Sequence, residues 1–172
     1  LMYAGRLQYS FWEKEPGYYA TGNYLGAKDI FTIAVAARQK SDGSASTTQV
    51  GDYSQWVVDL LLEKQIGPGA VSIEAAYYDY DTDDVFMSEQ GEAYAAGAGF
   101  IFNKKVGWGQ IMPFVHYQSF DADNEIKTER TDLGVNYIID GYNAQLSAVY
   151  RSGEVTGQSD VDAFVVGMQL QF

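Results

Sequence analysis

Apolar and polar residues exchange places every second position through most of this chain, in segments of about ten residues separated by turn residues; helical spacing is almost absent. Tyr3 to Phe11 puts Tyr3, Gly5, Leu7, Tyr9 and Phe11 on one face and Ala4, Arg6, Gln8 and Ser10 on the other. An irregular link, Glu13 to Asp29, contains Pro16-Gly17 and several tyrosines. Phe31 to Gln39 then sets Ile33, Val35 and Ala37 against Thr32, Ala34, Ala36 and Arg38, and ends in a polar loop, Lys40 to Thr48. In the third segment Trp56, Val58, Leu60 and Leu62 alternate with Gln55, Val57, Asp59, Leu61 and Glu63. The turn Ile66-Gly67-Pro68-Gly69 leads to a fourth, where Val71, Ile73, Ala75 and Tyr77 oppose Ser72, Glu74, Ala76 and Tyr78.

After the acidic loop Asp79 to Glu92, the fifth segment sets Tyr94, Ala96, Ala98, Phe100 and Phe102 opposite Ala95, Gly97, Gly99 and Asn103. Lys104 to Gly109 connects it to Ile111, Pro113, Val115 and Tyr117, which face away from Phe114, His116 and Gln118. Pro113 fits a strand only at an end or a bulge. Beyond the polar loop Asp121 to Lys127, Leu133, Val135 and Tyr137 oppose Asp132, Gly134 and Asn136. Asp140-Gly141-Tyr142-Asn143 is a hairpin turn, and Leu146, Ala148 and Tyr150 then oppose Gln145, Ser147 and Arg151. After Gly153 to Asp160, the last segment carries Phe164, Val166, Met168, Leu170 and Phe172 on one face. The pattern predicts an all-β fold, an antiparallel meander of about nine strands. Short connections (around Gly67, Gly107 and Gly141) and long polar ones (around Ser44, Asp83, Asp123 and Thr156) are expected to gather at opposite rims.

Periodicity alone does not say which face is wet. A soluble sandwich or lipocalin-like barrel turns its apolar face inward, whereas an outer-membrane barrel turns it to lipid and keeps polar groups inside. Three features favour the membrane arrangement. Aromatics cluster near segment ends, as interfacial girdles would: Trp12, Tyr18, Tyr19, Tyr24, Trp108 and Tyr142 near short connections, and Tyr77, Tyr78 and Tyr80 beside a long loop. The alternate face is rich in Gly, Ala, Ser, Gln and charge, with less Lys and Glu than a soluble exterior uses against edge pairing. The chain also closes on Phe172 within an alternating aromatic-apolar strand.

Composition narrows the classes further. The 172 residues include 14 Tyr and 9 Phe and no Cys, with 11 Lys plus Arg against 23 Asp plus Glu, a net charge of −12. Such a field repels nucleic acid. Without cysteine there is neither a disulfide framework nor a thiolate metal site. No apolar run approaches the ~20 residues of a membrane helix. Leu1 in place of an initiator Met, with no secretory pattern after it, points to a processed or truncated chain.

The stretch Val165-Val166-Gly167-Met168-Gln169-Leu170-Gln171-Phe172 resembles the terminal signal read by the bacterial barrel-assembly machinery, through Gly167, Leu170 and Phe172. Val165 stands where a polar residue is usual. Five further stretches resemble the C-terminal half of the phosphate-selective porin O/P family: Ala4-Gly5-Arg6-Leu7, Glu15-Pro16-Gly17-Tyr18-Tyr19, Tyr24-Leu25-Gly26, Pro113-Phe114-Val115-His116-Tyr117 and Leu133 to Gly141. The last runs on into Asn143-Ala144-Gln145-Leu146 and is the most specific. This resemblance implies a transmembrane barrel of roughly sixteen strands, commonly a homotrimer, in the outer membrane of a Gram-negative bacterium. Residues 1–172 would be one barrel domain, the C-terminal part of the whole. Its partners would be the lipid bilayer, lipopolysaccharide, the assembly machinery and small hydrophilic or ionic solutes, with phosphate among the family's anions. An intact eight-stranded barrel of structural or adhesive role without a wide pore is one alternative, since bacterial single-chain barrels use even strand numbers, and a soluble lipocalin-like binder is another.

Inward-facing candidates for a pore lining are Arg6, Arg38, Asp59, Glu63, Glu74, His116, Asp132 and Arg151. Opposed charges there would set a transverse field across a channel, or brace a narrow lumen as internal salt bridges. The inward carboxylates match the arginines, so a weakly selective porin is expected rather than a phosphate channel. Asp79 to Asp84 fails as a hand-type calcium loop, because Asp84 stands where Gly is needed and Gln90 where Glu is needed; a loose divalent-ion contact near lipopolysaccharide is the remaining metal reading. His116 has Gln118 two residues on, where an outer-membrane lipase would want a Ser nucleophile, and Tyr117 faces the other way, so neither an enzyme nor a cofactor is expected.

Overall fold

A period-two pattern makes a ribbon with one uniformly apolar face, and each alternating segment is indeed a strand. The computed structural model describes residues 1–14, 23–86 and 88–171. Its nine strands are β1 (Met2–Ser10), β2 (Ile30–Ala45), β3 (Val50–Ile66), β4 (Gly69–Asp81), β5 (Gly91–Phe102), β6 (Gln110–Ala122), β7 (Lys127–Asp140), β8 (Ala144–Val155) and β9 (Val161–Leu170). They form one antiparallel sheet in sequence order, an all-β meander. The sheet is open. Among the described residues β1 pairs with β2 alone and β9 with β8 alone, so the nine strands do not close on themselves.

Register keeps the two faces separate across the whole sheet. Phe31 pairs with Leu62, Leu62 with Ile73, Ile73 with Ala98, Ala98 with Val115, Val115 with Leu133, Leu133 with Tyr150 and Tyr150 with Phe164. That row crosses eight strands without a charge. A slip of one residue anywhere would turn a strand's apolar set to the other face. The ladder between β5 and β6 ends at Gly99 with Phe114, immediately before Pro113, whose missing N–H has nothing to donate there.

One expectation about connections is corrected. Lys40 to Thr48 is mostly strand, since β2 runs to Ala45 and β3 begins at Val50. Polar side chains do not stop a ladder whose backbone groups pair, and only a register shift between Lys40 and Ser44 interrupts it, at Asp42 with φ of 51°. The connections around Gly67, Gly107 and Gly141 do gather at one rim, and those beyond Ser44 and around Asp83, Asp123 and Thr156 at the other. One rim carries 46–49, 82–86, 88–90, 123–126 and 156–160, and the other 11–14, 23–29, 67–68, 103–109 and 141–143. Hereafter these are the first and second rims.

Among the described residues no second layer covers the apolar face. Trp56 remains 40% exposed and Phe164 72% exposed on it. The accessible surface totals 11206 Å² for 19.0 kDa, whereas a compact monomer of that mass exposes roughly 8,400 Å². The difference is the extra exposure of an open, single-layer sheet. A buried apolar cluster (Ala70, Ile101, Met112 and Ile138, with Leu25 against it) sits on the opposite, polar face near the second rim.

Candidate functional site: the charged face of the sheet

Strand parity and register put all eight predicted charged residues on the polar face. Glu74 pairs with Gly97, Gly97 with His116, His116 with Asp132 and Asp132 with Arg151, a single row in register from β4 to β8. Glycine at position 97 lets the row interact across β5. A Cβ there would lie 2.5 Å from His116 Cδ2 and 2.9 Å from Glu74 Oε1, so its absence leaves His116 Nε2 3.3 Å from Glu74 Oε1.

Asp132 is the hub of the face, with its side chain 9% exposed. It accepts from Arg151 Nε at 2.8 Å and NH2 at 3.1 Å. It also accepts from Arg130 Nε at 3.0 Å and NH2 at 2.5 Å. Two guanidiniums sharing one carboxylate leave this spot net positive. Arg130 is missing from the sequence-derived set, although it stands two residues before Asp132 and so on the same face by parity.

At the other edge Arg6 crosses β2 to reach Asp59 on β3, through NH1 at 2.6 Å and NH2 at 2.9 Å. Small residues permit that span: Ala36 pairs with Arg6, and Ala34 pairs with Asp59. Arg38 donates to Tyr53 Oη at 2.7 Å, with its guanidinium 4.9 Å from the ring centroid. Arg6, Arg38, Arg130 and Arg151 are thus each held by a named partner on this face.

Glu63 departs from its expected place in a lining. It lies on the polar face but is 0% exposed, covered by the segment between β1 and β2. The acidic loop is also organised internally. Gln90 Oε1 accepts from Thr82 Oγ1 at 3.0 Å and from the Asp84 N–H at 3.2 Å, while its Nε2 donates to Asp84 Oδ1 at 2.7 Å and Asp123 Oδ2 at 3.0 Å.

The apolar face carries aromatic rows toward both rims. Near the first rim Trp56, Tyr77 and Tyr94 follow one another with ring centroids 5.0 Å apart. Tyr94 donates its hydroxyl to Glu92 at 2.7 Å, and Tyr117 to Glu129. Near the second rim Phe11 stacks on Phe31 at 4.7 Å, and Phe100 meets Phe102 at 5.0 Å. Tyr77, Tyr78 and Tyr80 stand at the end of β4 beside a long connection, but they do not share a face. Only Tyr77 is on this face; Tyr78 and Tyr80 stack on each other on the polar one, 5.9 Å apart. Gly167 and Leu170 lie on β9, paired with Ser147 and Ala144. Phe172, Tyr18, Tyr19 and the stretch Glu15 to Tyr19 fall outside the described residues.

Comparison with known proteins gives little to lean on. No family model matches the chain, and no solved structure does. It is 24% identical over 186 residues to an uncharacterized protein of Aquifex aeolicus (strain VF5), a match covering 99% of this chain and 43% of that protein. The chain thus spans less than half the length of that relative.

Proposed function

We propose that this sheet is part of the wall of an outer-membrane β-barrel and that its charged face lines a passive diffusion channel for small hydrophilic or ionic solutes. One observation carries the reading: a broad apolar face lies uncovered. Uncharged rows cross the sheet on it, no second layer covers it among the described residues, and it has aromatic rows toward both rims. Such a face in water would leave a large apolar patch wet; against hydrocarbon it is solvated. Among the described residues β1 and β9 each have a neighbouring strand on one side, which supports a larger barrel, because a strand edge exposed in lipid leaves backbone groups unsatisfied and closure removes it. Ion pairs on the polar face, partly exposed, suit a water-filled interior whose transverse charge pattern biases ion passage without a committed anion ladder.

The same pairs support a second reading. Arg6–Asp59 and Arg130–Asp132–Arg151 would equally brace the inside of a barrel with no wide pore. Heat-modifiable migration on gels tests the membrane barrel common to both. Planar-bilayer recording of the complete protein separates them: discrete conductance steps are expected of the channel, and a folded, silent protein would refute it.

A further inference from the structure

The segment leading into β2 is anchored over the polar face by a buried carboxylate. Glu63 Oε2 accepts from the Tyr24 N–H at 2.8 Å, and Oε1 from the Gly26 N–H at 2.6 Å. Gln65 adds two more ties: its Nε2 donates to the Gly26 carbonyl at 2.8 Å, and its backbone N–H to Asp29 Oδ1 at 3.0 Å. Leu25 packs into the cluster of Ala70, Ile101, Met112 and Ile138. Contact is close enough that a Cβ on Gly26, where φ is +80°, would fall 2.6 Å from Gln65 Nε2 and 2.9 Å from Ala70 Cβ. A carboxylate is costly to bury unless its oxygens are satisfied. Glu63 is satisfied by this segment, so the two hold each other in place.

Beside the segment lies a recess of about 270 Å³, bounded by Asn23 and Leu25 on one side and by Glu74, Phe114 and His116 on the wall. A chain segment fixed on the polar face takes cross-section from whatever that face encloses. We propose that Asn23–Asp29 is a latched strap that narrows the channel at the second rim and sets the largest solute admitted, with Glu63 as the latch. The proposal rests on the channel reading for the narrowing, though not for the latch.

The test uses the full chain, which has no native cysteine, carrying Ile101→Cys beneath the strap, where the native residue is 3% exposed. In this background Glu63→Gln puts an amide NH2 against one of the two backbone donors and releases the strap. The expected result is labelling of Cys by a bilayer-impermeant thiol reagent that the unaltered latch prevents, together with a gain in single-channel conductance and a larger polymer exclusion size. Should Glu63→Gln lack heat-modifiable migration, Leu25→Ser, which loosens the strap without touching the wall, is read the same way. Protection that persists overturns the latch. Labelling without a gain in conductance overturns the narrowing. A protein that never conducts, yet becomes labelled on release, removes the channel reading and the narrowing while the latch stands.

Discussion

Replacing Asp132 by Asn is the most instructive single change on the polar face. It keeps the side chain's shape and removes the charge that Arg130 and Arg151 share through contacts of 2.5 to 3.1 Å. Asparagine offers one acceptor and points an NH2 group at a guanidinium. Stripping one member from a fully buried ion pair costs about 3–5 kcal/mol. Here the arginine side chains are 40% and 37% exposed, so water recovers part of that. One charge-assisted hydrogen bond is worth about 1.5–3 kcal/mol, and a net loss of about 2 kcal/mol follows, roughly thirtyfold in the unfolding equilibrium. Urea unfolding of the protein folded into lipid vesicles, read against Asp132→Asn, Arg130→Gln and the double variant, isolates the coupling. A loss below about 0.5 kcal/mol, the range of exposed surface pairs, would refute the hub.

Other outcomes follow from the same geometry. Gly97→Val should separate His116 from Glu74 and destabilise the fold, because a Cβ there meets His116 at 2.5 Å; Gly167→Ala, with nothing within 4 Å of its Cβ, should stay within about 0.5 kcal/mol of the parent, and equal unfolding midpoints for the two would contradict the contact. Removing Arg6, Arg38 and Arg151 as Gln should lower anion preference, most strongly at Arg6, whose loss also uncovers Asp59; unchanged reversal potentials across a salt gradient would count against these residues as lining.

Much of this architecture is legible in the sequence because a strand's side-chain period is two and register propagates it. Leu60, Ile73 and Val115 share a face by parity alone, and so do His116 and Asp132. What parity does not supply is partnership. Nothing in the spacing joins Arg6 to Asp59 across a strand, or shows that Gly97 opens the path from Glu74 to His116. Arg130 was readable by parity and is overshadowed by its neighbour Asp132. Glu63 reads as one more inward carboxylate until an irregular link, Tyr24 to Gly26, folds back over it. Irregular segments follow no period, so their landing place is set by tertiary contacts. Polar strand ends mislead in the opposite direction: Lys40 to Ala45 looks like a loop because the pattern fades where both faces are wet, although the backbone continues to pair.

Adjacent alanines in the middle of β4 test the inversion of faces most directly. Ala75, exposed on the apolar face, pairs with Leu60 and Ala96; Ala76, on the other face, pairs with Asp59 and Ala95. Arginine is placed at each in turn, and unfolding free energies are measured in vesicles. Lipid outside and water inside predict a cost of about 2–4 kcal/mol for Ala75→Arg and little change for Ala76→Arg, where Asp59 is at hand. Equal, small effects, or the larger penalty at Ala76, would contradict the account.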